Sequence, residues 1–191
     1  GPRDLFTVGR MLLSELAPLV DAQQGPIYQM EKENDENGTA VLKLLGGYAQ
    51  RPGQPDMIRV GEGLVGQCAL EKQRILLNHV PADYTSVRSS LGGASPTAIV
   101  VIPVLFEGQT KAVIELASLH QFSVTHLTFL EQLTQSIGVV LNTIEATMRT
   151  EGLLTQSQEL TVELQSQQKE LQQTNEELAQ KARQLAEQNV E

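Results

Sequence analysis

The chain reads as an α+β fold: an antiparallel sheet of five or six strands with the terminal helices of the domain on one face, continuing into a long C-terminal coiled-coil helix. Three observations predict it. Leu164, Leu171, Leu178 and Leu185 recur every seven residues, the spacing of a coiled-coil seam. Two strongly apolar runs, 98–106 and 111–118, are joined by Glu107-Gly108-Gln109-Thr110 and read as a strand pair. Stripes at three-four spacing bracket the strands, Leu5, Val8, Leu12, Leu16 and Leu19 at one end and Leu130, Leu133, Ile137, Val140, Leu141 and Ile144 at the other.

In order, residues 4–20 form a first amphipathic helix, ended by Pro18 and a turn at 21–25. Residues 26–30 are a short strand. The acidic run 31–38 is a solvated loop with Asn37-Gly38 as a hairpin turn, and its carboxylates lack the spacing of a calcium-binding EF-hand loop. Residues 39–49 pair back as the second strand through Val41, Leu42, Leu44, Leu45 and Tyr48. After a breaker at 51–55, residues 57–77 read as a Gly-rich turn, a short helix and a strand. Residues 78–97 form a loop long for a compact domain, the kind of segment in which ligands are held. Ser123 or Thr125 caps the last helix.

That last helix carries two stripes in different register. The seam comprises Leu154, Thr161, Leu164, Gln168, Leu171, Asn175, Leu178, Ala182 and Leu185. Leu133, Val140, Leu154 and Thr161 keep one phase, whereas their partners slip by one position between Ile144 and Leu164. The helix must unwind or rotate its contact face there, and Gly152 weakens it. Such a rod can pass a change in domain packing onward as rotation or register shift.

Domains divide accordingly. Gly1-Pro2 reads as a cloning or protease-site remnant within a lead-in of residues 1–3, residues 4–145 form the sensor domain, and residues 146–191 form the signalling helix. The chain ends on an unfinished heptad, so it reads as a piece cut from a longer protein. The net charge of −9 divides into −5 for residues 1–145 (10 basic, 15 acidic) and −4 for the rest (4 basic, 8 acidic). With no basic stripe, nucleic-acid binding lacks its electrostatic basis. No apolar run is long enough to span a bilayer, so direct membrane insertion of this region is not expected. The expected location is cytoplasmic, in a parent protein whose upstream region could hold a membrane anchor. One cysteine, Cys68, cannot form an internal disulfide or a thiolate metal cluster.

The run Val60-Gly61-Glu62-Gly63-Leu64-Val65-Gly66, then Gln73 to Asn78, Ile102-Pro103-Val104 with Gly108, Ala112 to Ser118, Phe122 and the helix from Phe129 to Leu141 resembles the GAF domains. The resemblance covers residues 4–145 and implies the sheet-and-helix arrangement above. A GAF domain joined to a long Gln- and Glu-rich helix is similar to the sensory region of bacterial hybrid sensor histidine kinases, which implies a downstream kinase core. Related domains that attach a bilin use a Cys in the later part of the domain, and none lies in 78–97. GAF-type methionine sulfoxide reductases need several cysteines, and one cannot complete that cycle. The Asn-Lys-x-Phe-Asp-Glu signature of cyclic-nucleotide-binding GAF domains is absent.

Gly61, Gly63 and Gly66 match a dinucleotide fingerprint only in spacing, and the strand-to-helix turn accounts for them. Cys68 is expected to be a buried structural thiol, and His79, His120 and His126 to be solvated or capping. No triad or paired carboxylates stand out, so the fragment is not expected to be an enzyme, and no metal or cofactor is expected. The candidate ligand site is the loop 79–97, with Tyr84 as an aromatic wall, Arg88 as a fixed charge, and Ser89, Ser90, Gly92, Gly93, Ser95 and Thr97 as small donors. Arg88 beside two serines suits a small anionic ligand. The alternative is a surface loop in which Arg88 meets solvent or an acidic neighbour.

The functional expectation is a regulatory sensor module acting as a parallel homodimer, whose domain state biases the coiled coil and hence a kinase. Polar Gln168 and Asn175 in the seam lower its stability and keep alternative registers close in energy. The competing expectations are a passive dimerisation spacer on a non-binding scaffold, and a small-molecule-binding or cyclic-nucleotide-binding regulatory domain of another signalling enzyme.

Overall fold

The computed structural model describes residues 2–32 and 39–188. The predicted Asn37-Gly38 turn lies outside the described residues. The elements are α1 (Pro2–Leu19), β1 (Gly25–Lys32), β2 (Ala40–Tyr48), β3 (Met57–Arg59), α2 (Gly63–Glu71), β4 (Ile75–Leu77), β5 (Val87–Ser89), β6 (Gly92–Ala94), β7 (Ala98–Phe106), β8 (Gln109–Ser118) and α3 (Val124–Gln188). The chain separates into two compact units, residues 1–144 and 145–191.

In the first unit six strands form one antiparallel sheet in the order β3-β2-β1-β8-β7-β4, and β5 and β6 make a separate hairpin. The predicted pairing of the two apolar runs is there: β7 and β8 stay in register from Ala98↔Ser118 to Val104↔Ala112. Their turn uses Glu107 and Gly108, both at positive φ, a geometry for which Gly108 is suited. β1 joins the two hairpins by pairing Ile27 with Ile114 and Tyr28 with Val113. Alternation then sorts the side chains. Tyr28, Leu42, Ile99, Val101 and Val113 pack with Val65, Cys68 and Ala69 of α2. On the opposite phase, Ile27, Val100, Ile102, Val104, Ala112, Ile114 and Leu116 are each exposed by 2% or less, under α1 and the first turns of α3.

Both terminal helices seat through a glycine, and that sets their phase. A Cβ on Gly9 would lie 2.9 Å from Leu45 Cγ, and one on Gly138 would overlap the Leu105 carbonyl oxygen. The buried face of α1 is therefore Leu5, Leu13, Leu16 and Ala17, followed by buried Val20 just past its end, whereas Leu19, predicted on the face, is 63% exposed. In α3 the buried residues are Leu130, Thr134, Ile137 and Leu141, and Val140, predicted on the stripe, is exposed. The helix rotates toward Gly138 because only a residue without a side chain lets its backbone approach β7 so closely. Ser123 caps α3, its hydroxyl accepting from the His126 N–H at 3.1 Å.

The second unit is the continuation of α3. In this single chain Leu154, Leu164, Leu171, Leu178 and Leu185 are exposed, as are Thr161, Gln168, Asn175 and Ala182. The Thr161 hydroxyl donates back to the Ser157 carbonyl at 2.8 Å. No described helix is long and apolar enough to cross a membrane.

Candidate ligand cavity

The sheet face that carries α2 does not close completely, and a cavity of about 200 Å³ remains beside the N-terminal end of that helix. Its floor is Tyr28 of β1, Ile99 of β7, and Glu115 and Ala117 of β8. One wall is Glu62, Gly63, Leu64 and Val65, and the mouth is formed by Arg51, Gln54, Pro55, Tyr84 and Thr85.

The glycines at 61–66 build the wall rather than a phosphate cradle. Gly61 and Gly63 have φ of +87° and +61°, which an L side chain adopts only under strain. The Gly61 N–H donates to the Gly66 carbonyl at 2.9 Å, and a Cβ on Gly66 would collide with the Arg59 carbonyl. The turn thereby launches α2 over the sheet. At its far end Lys72, in the left-handed conformation, returns its N–H to the Cys68 carbonyl, its ammonium donates to the Gly108 carbonyl at 2.7 Å, and the buried Thr110 hydroxyl donates to the Ala69 carbonyl at 3.0 Å.

Within the cavity the polar groups differ in how they are satisfied. The Tyr28 hydroxyl donates to the Pro55 carbonyl at 3.1 Å and accepts from the Gln54 side-chain amide at 3.4 Å. Arg51 spends one guanidinium nitrogen on the Thr85 hydroxyl at 2.9 Å. Glu115 stands on the inward phase of β8, between Val113 and Ala117, and makes no hydrogen bond or ion pair among the described residues. Burial pushes its carboxyl above the usual range, and the Arg51 charge pulls part of the way back. Burial likewise raises the phenols of Tyr28 and Tyr84.

Of the residues singled out in the loop, Tyr84 reaches this cavity. Arg88 and Ser89 lie instead on the β5–β6 hairpin, along an open concavity of about 500 Å³ shared with Gln23, Leu91 and Leu119. Arg88 Nε donates to the Ser86 hydroxyl at 3.2 Å, and the Ser89 hydroxyl accepts from the Leu91 N–H at 3.2 Å. Ser90 is exposed. Ser95 and Thr97 staple the loop, donating to the carbonyls of Ala82 and Leu119 at 2.8 Å each. The structure therefore does not bring these six residues together. Sequence reading missed Glu115, Arg51, Gln54 and Tyr28. The signal for Glu115 was present: a lone acid in an apolar strand, on the phase of Val113 and Ala117.

Cys68 is fully buried, and burial, with Glu71 adding to it, pushes its thiol up to about 12. His79 is exposed and His120 pairs with Asp21 at 3.2 Å on the surface. His126 Nδ1 is buried without a partner. Among the described residues no group of three or more His, Cys, Asp or Glu side chains is placed to hold a metal ion.

A family model of the GAF domain matches residues 2–142. No curated protein matches the chain significantly. Among solved structures, the GAF domain of a phosphoenolpyruvate-protein phosphotransferase from Coxiella burnetii is 18% identical at a TM-score of 0.58, over 75% of this chain and 85% of its own. A type II free methionine-R-sulfoxide reductase from Thermoplasma acidophilum is 16% identical at 0.57, over 73% and 94%. The second GAF domain of DevS from Mycobacterium smegmatis is 15% identical at 0.56, over 78% and 99%. At these identities the likeness is one of fold.

Proposed function

The chain belongs to the GAF-domain family, and from that premise we propose that it is the sensory and dimerising module of a bacterial two-component sensor histidine kinase. The state of the cavity passes along α3 into a parallel two-stranded coiled coil and on to a kinase core in the parent protein. The module works in the cytoplasm and acts by binding rather than by turnover.

The observation that carries this reading is the row of leucines at seven-residue spacing, Leu164 to Leu185, each 57–65% exposed in the single chain. Burying such a side chain against a partner is worth about 1–2 kcal/mol, and a constant-phase row of four is a seam awaiting a second copy. The buried stripe that anchors the start of the same helix runs through Leu130, Ile137 and Leu141, out of phase with that seam. The two stripes therefore do not share one register, and a change in how the helix is held is a means of biasing the seam. A physical route from cavity to helix supports the reading: α2 is the cavity wall, β4 follows it, and Arg74 between them pairs with Glu131 of α3.

Gln168→Ile together with Asn175→Ile, in the parent kinase, tests this. Apolar residues in place of polar ones tighten the dimer and lock one register, so the output is expected to freeze. A raised melting temperature with unchanged signalling would mean that the coil is only a spacer.

A further inference from the structure

We propose that the cavity takes a small zwitterion of amino-acid size, its ammonium end on Glu115 at the floor and its carboxylate end on Arg51 at the mouth. This rests on reading the cavity as the sensory site.

Glu115 carries most of the argument. A carboxyl partly withdrawn from water needs donors, and the Tyr28 hydroxyl is committed to the Pro55 carbonyl and a Gln54 amide N–H to Tyr28, while the Tyr84 hydroxyl and the remaining Arg51 donors line the same cavity without a hydrogen bond to Glu115 among the described residues. Its strand neighbours Val113 and Ala117 offer no side-chain donor. A half-buried acid without a hydrogen-bond partner is costly in the empty protein, and a ligand ammonium with three donors offsets that cost in the bound state. The same carboxylate repels a purely anionic ligand. Arg51 sets the other end: with one nitrogen on Thr85, its remaining guanidinium donors are matched to a carboxylate, while its charge repels a simple amine. The volume limits the size. At about 200 Å³ the cavity falls below the roughly 300–1,000 Å³ of sites that take drug-sized molecules.

The test is a thermal-shift and calorimetric screen of the whole chain against the twenty free amino acids. The best of them is then compared with its decarboxylated amine and its deaminated acid. At least one amino acid is expected to raise the unfolding midpoint by several degrees at saturation, and both truncated analogues are expected to bind at least tenfold more weakly. Glu115→Gln and Arg51→Gln should each lose tenfold or more of the affinity while keeping the far-ultraviolet spectrum of the parent. A deaminated acid that binds as well as its amino acid, or undiminished binding to Glu115→Gln, overturns the ligand class and leaves the sensory reading standing. If no amino acid binds, the class is overturned. Native mass spectrometry of protein taken from cells then separates the two ideas: a retained anionic or neutral compound keeps the sensory reading, and an empty cavity removes it.

Discussion

Two glycines in the same helix should respond in opposite directions to the same substitution. Gly138 docks against β7, and an added Cβ would sit 2.9 Å from the Leu105 carbonyl carbon and overlap its oxygen. Because the obstacle is backbone, the helix must lift off the sheet, opening the contacts of Leu130, Ile137 and Leu141, which are exposed by 3% or less. Overpacking of this kind costs about 1–3 kcal/mol, and an immovable obstacle places it near the upper end. Alanine's better helix propensity returns about 1 kcal/mol. Gly138→Ala should therefore lose about 2 kcal/mol, or roughly 6 °C in the melting of the head. Gly152 has nothing within 4 Å of the corresponding position, so Gly152→Ala should stiffen the helix by up to about 1 kcal/mol and leave the head's midpoint unchanged. Denaturant titrations followed separately by near-ultraviolet and far-ultraviolet dichroism would measure both. Equal effects at the two positions would refute the docking geometry given to α3.

Glu115 predicts a pH signature. Its folded carboxyl titrates above the ordinary 4.5, so the folded chain holds a proton that the unfolded chain gives up. The stability associated with that proton is complete below the unfolded value and is lost as pH rises through the folded one. Glu115→Gln should flatten this part of the stability curve and leave the unliganded protein more stable at neutral pH, and a lower midpoint there would contradict the assignment. Cys68, buried and with its thiol pushed up to about 12, should stay unmodified by a thiol reagent at pH 8 until the protein is denatured. Rapid labelling of folded protein would show that α2 does not seal that face.

The elements were largely legible because their signals are local. The apolar runs of β7 and β8 and the turn at Glu107-Gly108 specify a hairpin wherever they occur, and Ser123 marks its helix start by hydrogen-bonding chemistry alone. Helix phase was less legible. Leu12 and Leu19 fit a three-four stripe as well as Leu13, Leu16 and Ala17 do, and the choice is made by Gly9 meeting Leu45, a contact between distant segments. The short strands β3, β5 and β6, three residues each, hold too little periodicity to be read. The cavity was least legible, since Tyr28, Arg51, Tyr84 and Glu115 converge only through strand order. Tyr84, singled out from its loop, lines the cavity, whereas Arg88, the more conspicuous charge, lies on the β5–β6 hairpin.

The proposed signalling requires two copies to meet through the leucines beyond Gly152, and sedimentation equilibrium of the whole chain tests this most directly. A mass twice the 20.9 kDa of the chain, falling to one chain when Leu171 and Leu178 are both changed to Glu, is the predicted result. A single chain persisting at high concentration in the unaltered protein would contradict it.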